Sequence, residues 1–183
     1  MINNDSAYII TGAPGSGKTS IMKTLASRGL KVFNEPARAI IAEQRSINGQ
    51  GIYNQDPALF KELMLSRSIY QYLQAKEARD TFIFDRGIPD ILAYSKCFNL
   101  PIGAEQKASA VYRYNPVVFF APSWEDIFSN DEERKLSFSQ AQEFGDNLKR
   151  SYQAQGYRLI ELPLLSPQER ADFICNHLKK AYQ

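Results

Sequence analysis

Cysteine and histidine are scarce in this chain of 183 residues, which contains two cysteines and one histidine. The cysteines, Cys97 and Cys175, lie far apart and form no CxxC pair, so the sequence predicts free thiols and requires no disulfide. A structural zinc site takes about four ligands, and His177 has too few potential partners for one. The composition therefore argues against a disulfide framework and against a structural metal centre.

Long apolar runs and long runs of one charge are missing as well. No stretch approaches the roughly 20 apolar residues of a membrane helix, and residues 1–6 lack the basic start and apolar run of a signal peptide. Lysine and arginine number 22 against 20 acidic residues, a net charge of +2. This balance gives no electrostatic reason to expect nucleic acid as a partner. We therefore predict a cytoplasmic protein with no membrane and no nucleic-acid partner.

The chain does contain short apolar runs that are separated by longer amphipathic stretches. The five runs are residues 8–10, 31–33, 81–84, 117–120 and 157–160. Their apolar residues are continuous, which is typical of parallel strands covered on both faces. With 44% hydrophobic residues, a chain of this length can fill one core. The pattern predicts a single α/β domain over residues 1–183 with helices on both faces of the sheet.

Capping residues mark the ends of several predicted helices. Gly29 predicts the end of the first helix, and an Asp-Pro pair predicts the start of a long helix over residues 56–76. Phe60 and Met64 lie beside one stripe of this helix, which carries Leu59, Leu63, Ser66, Tyr70 and Leu73. Ser139 with Gln142 predicts a capping box, and residues 166–169 predict a second one with proline in the first turn.

The segment Gly12–Thr19 reads Gly-Ala-Pro-Gly-Ser-Gly-Lys-Thr and matches GxxxxGK[ST] at every fixed position. It lies between a predicted strand and a predicted helix, where this phosphate-binding motif occurs. Glycines let backbone N–H groups turn toward phosphate oxygens, and the helix N-terminus favours anions. We expect Lys18 to reach the β- and γ-phosphates and Thr19 to ligate Mg²⁺. The predicted binding residues for ATP or GTP are Gly12, Ala13, Pro14, Gly15, Ser16, Gly17, Lys18, Thr19 and Ser20.

Asp85 follows the third apolar run and completes a Walker B pattern, in which the carboxylate holds Mg²⁺ through water. The alternative is an ordinary aspartate that begins the turn at Gly87. Motor ATPases usually place glutamate next, whereas this chain has Arg86, and it has no Asn-Lys-x-Asp motif of a GTPase. An Asp-Arg turn after a strand resembles the P-loop kinases of nucleosides and nucleotides. The resemblance implies that Arg86 faces the acceptor and the transferred phosphate.

The same resemblance covers the second strand and a charged segment. Deoxynucleoside kinases carry a Glu-Pro-x-x-Arg run similar to Glu35-Pro36-Ala37-Arg38. The resemblance implies that Glu35 is the base for the attacking hydroxyl and that Arg38 binds the acceptor or the phosphate. Helix capping is the alternative interpretation of Glu35. The charged run around Arg134 resembles the kinase lid, predicted over residues 125–140, where an arginine stabilises the transferred charge; a solvated surface is the alternative.

The whole pattern resembles the family of small predicted ATPases with an AAA domain, whose relatives include ribosylnicotinamide kinase. This resemblance implies a three-layer P-loop NTPase fold with a five-stranded parallel sheet in the order 2-3-1-4-5. The implied reaction is transfer of the γ-phosphate to a small, hydroxyl-bearing, nucleoside-like acceptor; the alternative is a switch or slow NTPase that acts on a protein partner. The implied roles are catalysis by Lys18, Glu35, Asp85, Arg86 and Arg134, acceptor binding by Glu35, Arg38 and Arg86, and Mg²⁺ binding by Thr19 and Asp85.

Overall fold

A computed structural model describes residues 2–129 and 136–181 of the chain. The strands are β1 (Ile2–Asn3), β2 (Ala7–Gly12), β3 (Lys31–Phe33), β4 (Phe82–Asp85), β5 (Tyr112–Arg113), β6 (Val117–Ala121) and β7 (Arg158–Glu161). The helices are α1 (Lys18–Ser27), α2 (Pro36–Ser46), α3 (Pro57–Ala78), α4 (Ile88–Cys97), α5 (Gly103–Val111), α6 (Phe138–Ala154) and α7 (Pro167–Ala181). A short 3₁₀ turn covers Glu125–Ile127. None of the helices described is long and apolar enough to cross a membrane.

Five strands form one parallel sheet in the order β3-β4-β2-β6-β7. Counted over the five strands that the sequence predicts, this order is 2-3-1-4-5, so the predicted sheet is confirmed. Ile10 of β2 lies opposite Asp85 of β4 on one side and Phe119 of β6 on the other. Because the strands are parallel, the segments that follow β2, β3 and β4 start at the same edge of the sheet.

Helices cover both faces of the sheet, as predicted, and β2 is buried along its whole length. Neighbouring residues of a strand point to opposite faces, so Ile9 and Ile10 enter different cores. Ile9 packs with residues of α3 and α4, whereas Ile10 packs with residues of α1 and α7. Full burial of each such side chain stabilises the fold by about 1.5–3 kcal/mol. Packing in these two cores fixes the position of β2, and therefore of the predicted phosphate-binding motif at its carboxyl end.

The predicted helix caps are confirmed at three positions and shifted at one. Gly29 follows α1 with φ +86°, Asp56 accepts a hydrogen bond from the Leu59 N–H, and Ser166 forms its capping box with Glu169. The predicted box at Ser139 and Gln142 is wrong, because α6 begins two residues earlier with the reciprocal pair Ser137 and Gln140. Both pairs have the Ser-x-x-Gln spacing, so the local pattern alone did not separate them.

The structure contains a small element that the sequence did not predict. The two-residue strands β1 and β5 pair in parallel beside the main sheet. The Tyr72 hydroxyl of α3 lies 2.7 Å from the Ile2 carbonyl oxygen and 2.8 Å from that of Arg113. A hydroxyl donates to one acceptor at a time, so Tyr72 is shared between the two strands and ties the pair to α3.

Candidate active site

The predicted phosphate-binding loop, Gly12–Thr19, leaves β2 through Gly12, where the backbone admits no side chain. Gly12 has φ +151°, and a β-carbon there would lie 2.1 Å from the carbonyl oxygen of Ala121 in the adjacent strand. Gly15 and Gly17 have φ values of +72° and +81°, which glycine adopts at little cost. The three glycines therefore allow the backbone to curl between β2 and α1.

Gly12→Ala is expected to lower the free energy of unfolding by about 2–5 kcal/mol, since it adds a steric clash to backbone strain. Gly29→Ala is the matched control, because Gly29 also has a positive φ but no atom lies within 4 Å of the added β-carbon. Gly29→Ala should lower the free energy of unfolding by only about 1–2 kcal/mol. Thermal unfolding of both variants gives the comparison, and equal losses would contradict the close approach of Gly12 to Ala121.

Lys18 begins α1 and lies beneath the loop with only 8% of its surface exposed. Burial and the nearby Arg86 lower the pKa of Lys18 to about 8, although Asp85, Glu35 and Asp90 act in the opposite direction. A buried ammonium group at a helix N-terminus can bind an anion with little competition from water. The position fits the predicted contact to the β- and γ-phosphates.

Asp85 ends β4 and is buried, and its Oδ1 atom has no hydrogen-bond partner among the residues described. Burial raises the pKa of Asp85 to about 6, while Lys18 opposes the rise. An unsatisfied carboxylate oxygen fits a water molecule held by Mg²⁺. Mg²⁺ is usually held by one or two carboxylates together with substrate phosphates.

Asp85→Asn is expected to keep nucleotide binding but to raise the Mg²⁺ concentration needed for it, because an amide accepts weakly from metal-bound water. The control is Asp80→Asn, which alters an exposed carboxylate before the start of the same strand. Mg²⁺ titrations of nucleotide binding compare the variants. Superimposable curves for wild type and Asp85→Asn would reduce Asp85 to a turn residue.

Arg86 is fixed by two partly buried ion pairs. Its Nε donates to Glu35 Oε1 at 3.0 Å, and its Nη1 donates to Asp90 Oδ1 at 2.9 Å. Burial alone would lower the pKa of Arg86, but Glu35, Asp90 and Asp85 outweigh it and raise the pKa. The residue also has φ +70°, and its N–H donates to the Ile10 carbonyl oxygen at 3.0 Å. The structure thus brings Glu35 and the Asp-Arg turn together, although 51 positions separate Glu35 from Arg86.

Asp90 is a site residue that the sequence interpretation missed. Besides Arg86, it accepts hydrogen bonds from the Thr11 hydroxyl at 2.6 Å and from the Gly87 N–H at 2.9 Å, and the Tyr152 hydroxyl donates to it. Asp90 occupies the first turn of α4, where an acid accepts from the free N–H groups. The sequence did contain one indication of this contact, because Asp90 follows Arg86 by four residues, the spacing of an ion pair within a helix. Asp90 joins β2, α4 and α6 behind the Arg86 guanidinium.

The remaining predicted residues divide between the site and its surroundings. Glu35 precedes α2, yet its side chain forms no capping hydrogen bond to that helix and contacts Arg86. Arg38 is exposed and lines the cavity over the phosphate-binding loop. Arg134 lies outside the described residues, as does part of the lid predicted over residues 125–140.

Two adjoining cavities open at this edge of the sheet. The P-loop cavity, about 420 Å³, is lined by the loop and by side chains that include Arg38, Trp124, Phe128 and Arg170. The aromatic cavity, about 920 Å³, is lined by side chains that include Tyr53, Phe60, Tyr94, Phe98 and Phe144. Pro14, Glu35, Arg86 and Leu136 line both cavities and form their junction. Helix α3 forms part of the wall of the aromatic cavity through Phe60, Met64 and Ser68.

Comparison with known proteins agrees with this architecture. A family model described as an AAA domain matches residues 7–170, and a comparison with curated proteins gives no match. Among solved structures, the chain is similar to deoxyadenosine kinase from M. mycoides with bound dCTP (TM-score 0.59, 16% identity, 95% of this chain and 99% of the other). It is also similar to shikimate kinase from Acinetobacter baumannii in complex with shikimate (TM-score 0.64, 12% identity, 96% and 93%).

A third similar structure is the NadR protein in complex with NR (TM-score 0.66, 19% identity), where the match covers 93% of this chain and half of the other. At these identities, the similarity establishes the fold. The chain therefore has the P-loop kinase-like fold that the sequence predicts, while the roles of individual residues depend on the geometry of the site.

Proposed function

The chain belongs to the AAA domain family, and we propose from that premise that it is a kinase. The proposed reaction transfers the γ-phosphate of ATP or GTP to a hydroxyl group of a small, nucleoside-like metabolite. One observation supports this proposal most strongly: a second, larger cavity adjoins the P-loop cavity, and Glu35 and Arg86 line both. A switch protein needs loops that respond to the γ-phosphate, but it needs no acceptor cavity.

In the proposed mechanism, the P-loop cavity binds the triphosphate. Backbone N–H groups of Gly12–Thr19 surround the phosphates, and Lys18 contacts the β- and γ-phosphates. Thr19 and Asp85 are the residues that would hold Mg²⁺, directly and through water, and the ion would neutralise charge on the phosphate oxygens. Asp85 requires its carboxylate form for this role, so burial, which favours the protonated form, must be offset by the nearby positive charges.

Glu35 and Arg86 act at the junction of the cavities. The acceptor hydroxyl lies against Glu35, whose carboxylate takes the hydroxyl proton as the oxygen attacks the γ-phosphorus and the nucleoside diphosphate leaves. Arg86 contacts Glu35 and Asp90 through Nε and Nη1, and its Nη2 is the nitrogen that would contact a phosphate oxygen. The transition state of phosphoryl transfer is loose, so positioning and charge contribute more than the base does.

The lining of the aromatic cavity supports a ring-bearing acceptor without negative charge. Aromatic side chains form much of its wall, and they favour stacking with planar rings. The positive charge of Arg86 is already paired with Glu35 and Asp90. The charged residues that line the cavity are three acids (Glu35, Asp90 and Glu143) and two bases (Arg86 and Lys96), which leaves an excess of one negative charge. An added phosphate or carboxylate would meet this acidic surrounding at a cost in electrostatic energy. We therefore expect neutral or cationic ribosides to be better acceptors than nucleoside monophosphates or hydroxy acids.

An assay of ADP release over a panel of acceptors tests the proposal. Neutral nucleosides and pyridine ribosides should raise the rate of ADP release above a control without acceptor, whereas nucleoside monophosphates and hydroxylated carboxylates should not. The same panel with GTP shows which triphosphate the protein uses. If no acceptor raises the rate, and the protein instead changes shape between its diphosphate and triphosphate complexes, the switch function is supported and the kinase is refuted.

A further inference from the structure

Arg170 is a buried arginine that neither the predicted motif nor the proposed mechanism uses. It lies in the first turn of α7, is only 2% exposed and lines the P-loop cavity. Its Nη1 donates to the carbonyl oxygen of Ser16 at 2.9 Å. Its Nε and Nη2 atoms are buried and have no hydrogen-bond partner in the part of the chain that the structure describes. The hydroxyl of Ser16 is also buried and also has no hydrogen-bond partner among the described residues.

Arg170 has no acidic partner among the residues that the structure describes. Two other poorly exposed cations of the fold are paired: Arg86 contacts Glu35 and Asp90, and Lys61 lies 3.5 Å from the Glu105 carboxylate. The third, Lys18, lines the same cavity as Arg170 and is itself predicted to contact phosphate. Burial lowers the pKa of Arg170, and no acidic neighbour among the described residues opposes this effect. A buried, uncompensated charge is strongly unfavourable. An anion in the cavity that Arg170 lines would remove that cost.

The contact to Ser16 also determines which way the loop backbone faces. Residues 2–129 and 136–181 contain no cis peptide bonds, and in a trans peptide the C=O and the following N–H point in opposite directions. Arg170 holds the Ser16 carbonyl oxygen on one side of the loop, so the N–H of Gly17 points to the other side. A hydrogen bond from a charged donor to the carbonyl also polarises the peptide and strengthens its N–H as a donor.

We propose that Arg170 is a positioning residue of the phosphate site: it holds the Ser16–Gly17 peptide so that the Gly17 N–H binds phosphate, and the nucleotide polyphosphate neutralises its guanidinium. The proposal rests on the nucleotide-binding part of the proposed function and does not depend on the acceptor. It assigns to α7, at the far end of the sequence, a direct influence on nucleotide affinity. It also implies that Arg170 destabilises the free protein and stabilises the nucleotide complex.

Three variants test the assignment: Arg170→Met, Arg170→Lys and the control Arg28→Met. Arg28 also links α1 to α7, through Asp172 at 2.8 Å and the Gln168 carbonyl oxygen at 3.1 Å, but it lies in an exposed position. Calorimetry with ADP and ATP, and competition with adenosine, give the affinities for different numbers of phosphates. Thermal unfolding with and without ATP gives the stability of the free and bound states.

Arg170→Met should weaken ADP and ATP binding roughly tenfold or more, and adenosine binding by less than about threefold, because adenosine has no phosphate. The melting temperature of the free variant should be unchanged or higher, and the shift caused by ATP should shrink. Arg170→Lys should recover part of the affinity, since it keeps the charge but loses the fixed geometry of the guanidinium. Arg28→Met should bind all three ligands as the wild type does.

A lower melting temperature with an unchanged ATP shift would show that Arg170 only packs α7 against the loop. Equal weakening of adenosine and ATP would likewise overturn the assignment. If the wild type binds ATP and both Arg170 variants bind it equally well, this inference alone fails. If the wild type binds neither ATP nor GTP, the proposed function fails and this inference fails with it.

Discussion

Glu35→Gln is expected to lower kcat by roughly 10²–10⁴, the usual effect of losing a general base, while ATP affinity stays nearly unchanged. The amide cannot take the hydroxyl proton, and it removes one of the two ion pairs that fix Arg86. Nucleotide affinity should persist because the P-loop and Lys18 supply most of the contacts to phosphate. Turnover measured at saturating acceptor, together with calorimetric ATP binding, separates the two effects.

Glu43→Gln is the matched control, since Glu43 lies on the same helix, α2, but its carboxylate is exposed and contacts Arg67. This control should keep wild-type turnover. If Glu35→Gln lowers ATP affinity as much as turnover, Glu35 has a structural role, and its assignment as the base is contradicted.

Lys18→Ala should weaken ATP and GTP binding by roughly 10- to 100-fold, because a charge-assisted contact contributes about 1.5–3 kcal/mol. The effect should exceed that of any exposed lysine, since Lys18 is buried at the N-terminus of α1. Lys23→Ala, which alters an exposed lysine of the same helix, serves as the control. A folded Lys18→Ala variant with unchanged affinity for both nucleotides would show that the phosphate site lies elsewhere.

The sequence predicted the sheet and the phosphate loop because both depend on local patterns. Each strand of the main sheet contains at least two consecutive apolar residues, and the P-loop motif is defined by spacing within eight residues. The order of the strands required the resemblance to kinases, since short-range patterns say nothing about which strands are neighbours. The very short strands β1 and β5 escaped prediction because two residues form no pattern.

The residues that complete the site could not be found in this way. Asp90 meets Thr11 across 79 positions, and Arg170 meets Ser16 across 154 positions. Either residue alone resembles an ordinary charged residue in the first turn of a helix. Only the folded chain shows that one fixes Arg86 and the other lies buried against the phosphate-binding loop.

The orientation of α3 was another limit of the sequence pattern. The predicted stripe of apolar residues includes Leu59, Tyr70 and Leu73, which are 36%, 58% and 43% exposed in the structure. The buried side of the helix instead presents Phe60, Leu65 and Tyr72. Apolar residues occur around much of this helix, so periodicity did not identify the face that packs against the sheet.

Transfer of labelled phosphate tests the proposed kinase activity most directly. The protein would be incubated with γ-³²P-labelled ATP or GTP, Mg²⁺ and a neutral or cationic riboside, and the label would be followed into acceptor and into inorganic phosphate. We predict that the label appears on the riboside, that Glu35→Gln abolishes most of this transfer, and that Glu43→Gln does not. Label found only in inorganic phosphate, at a rate that no acceptor changes, would contradict the kinase and identify the protein as an NTPase.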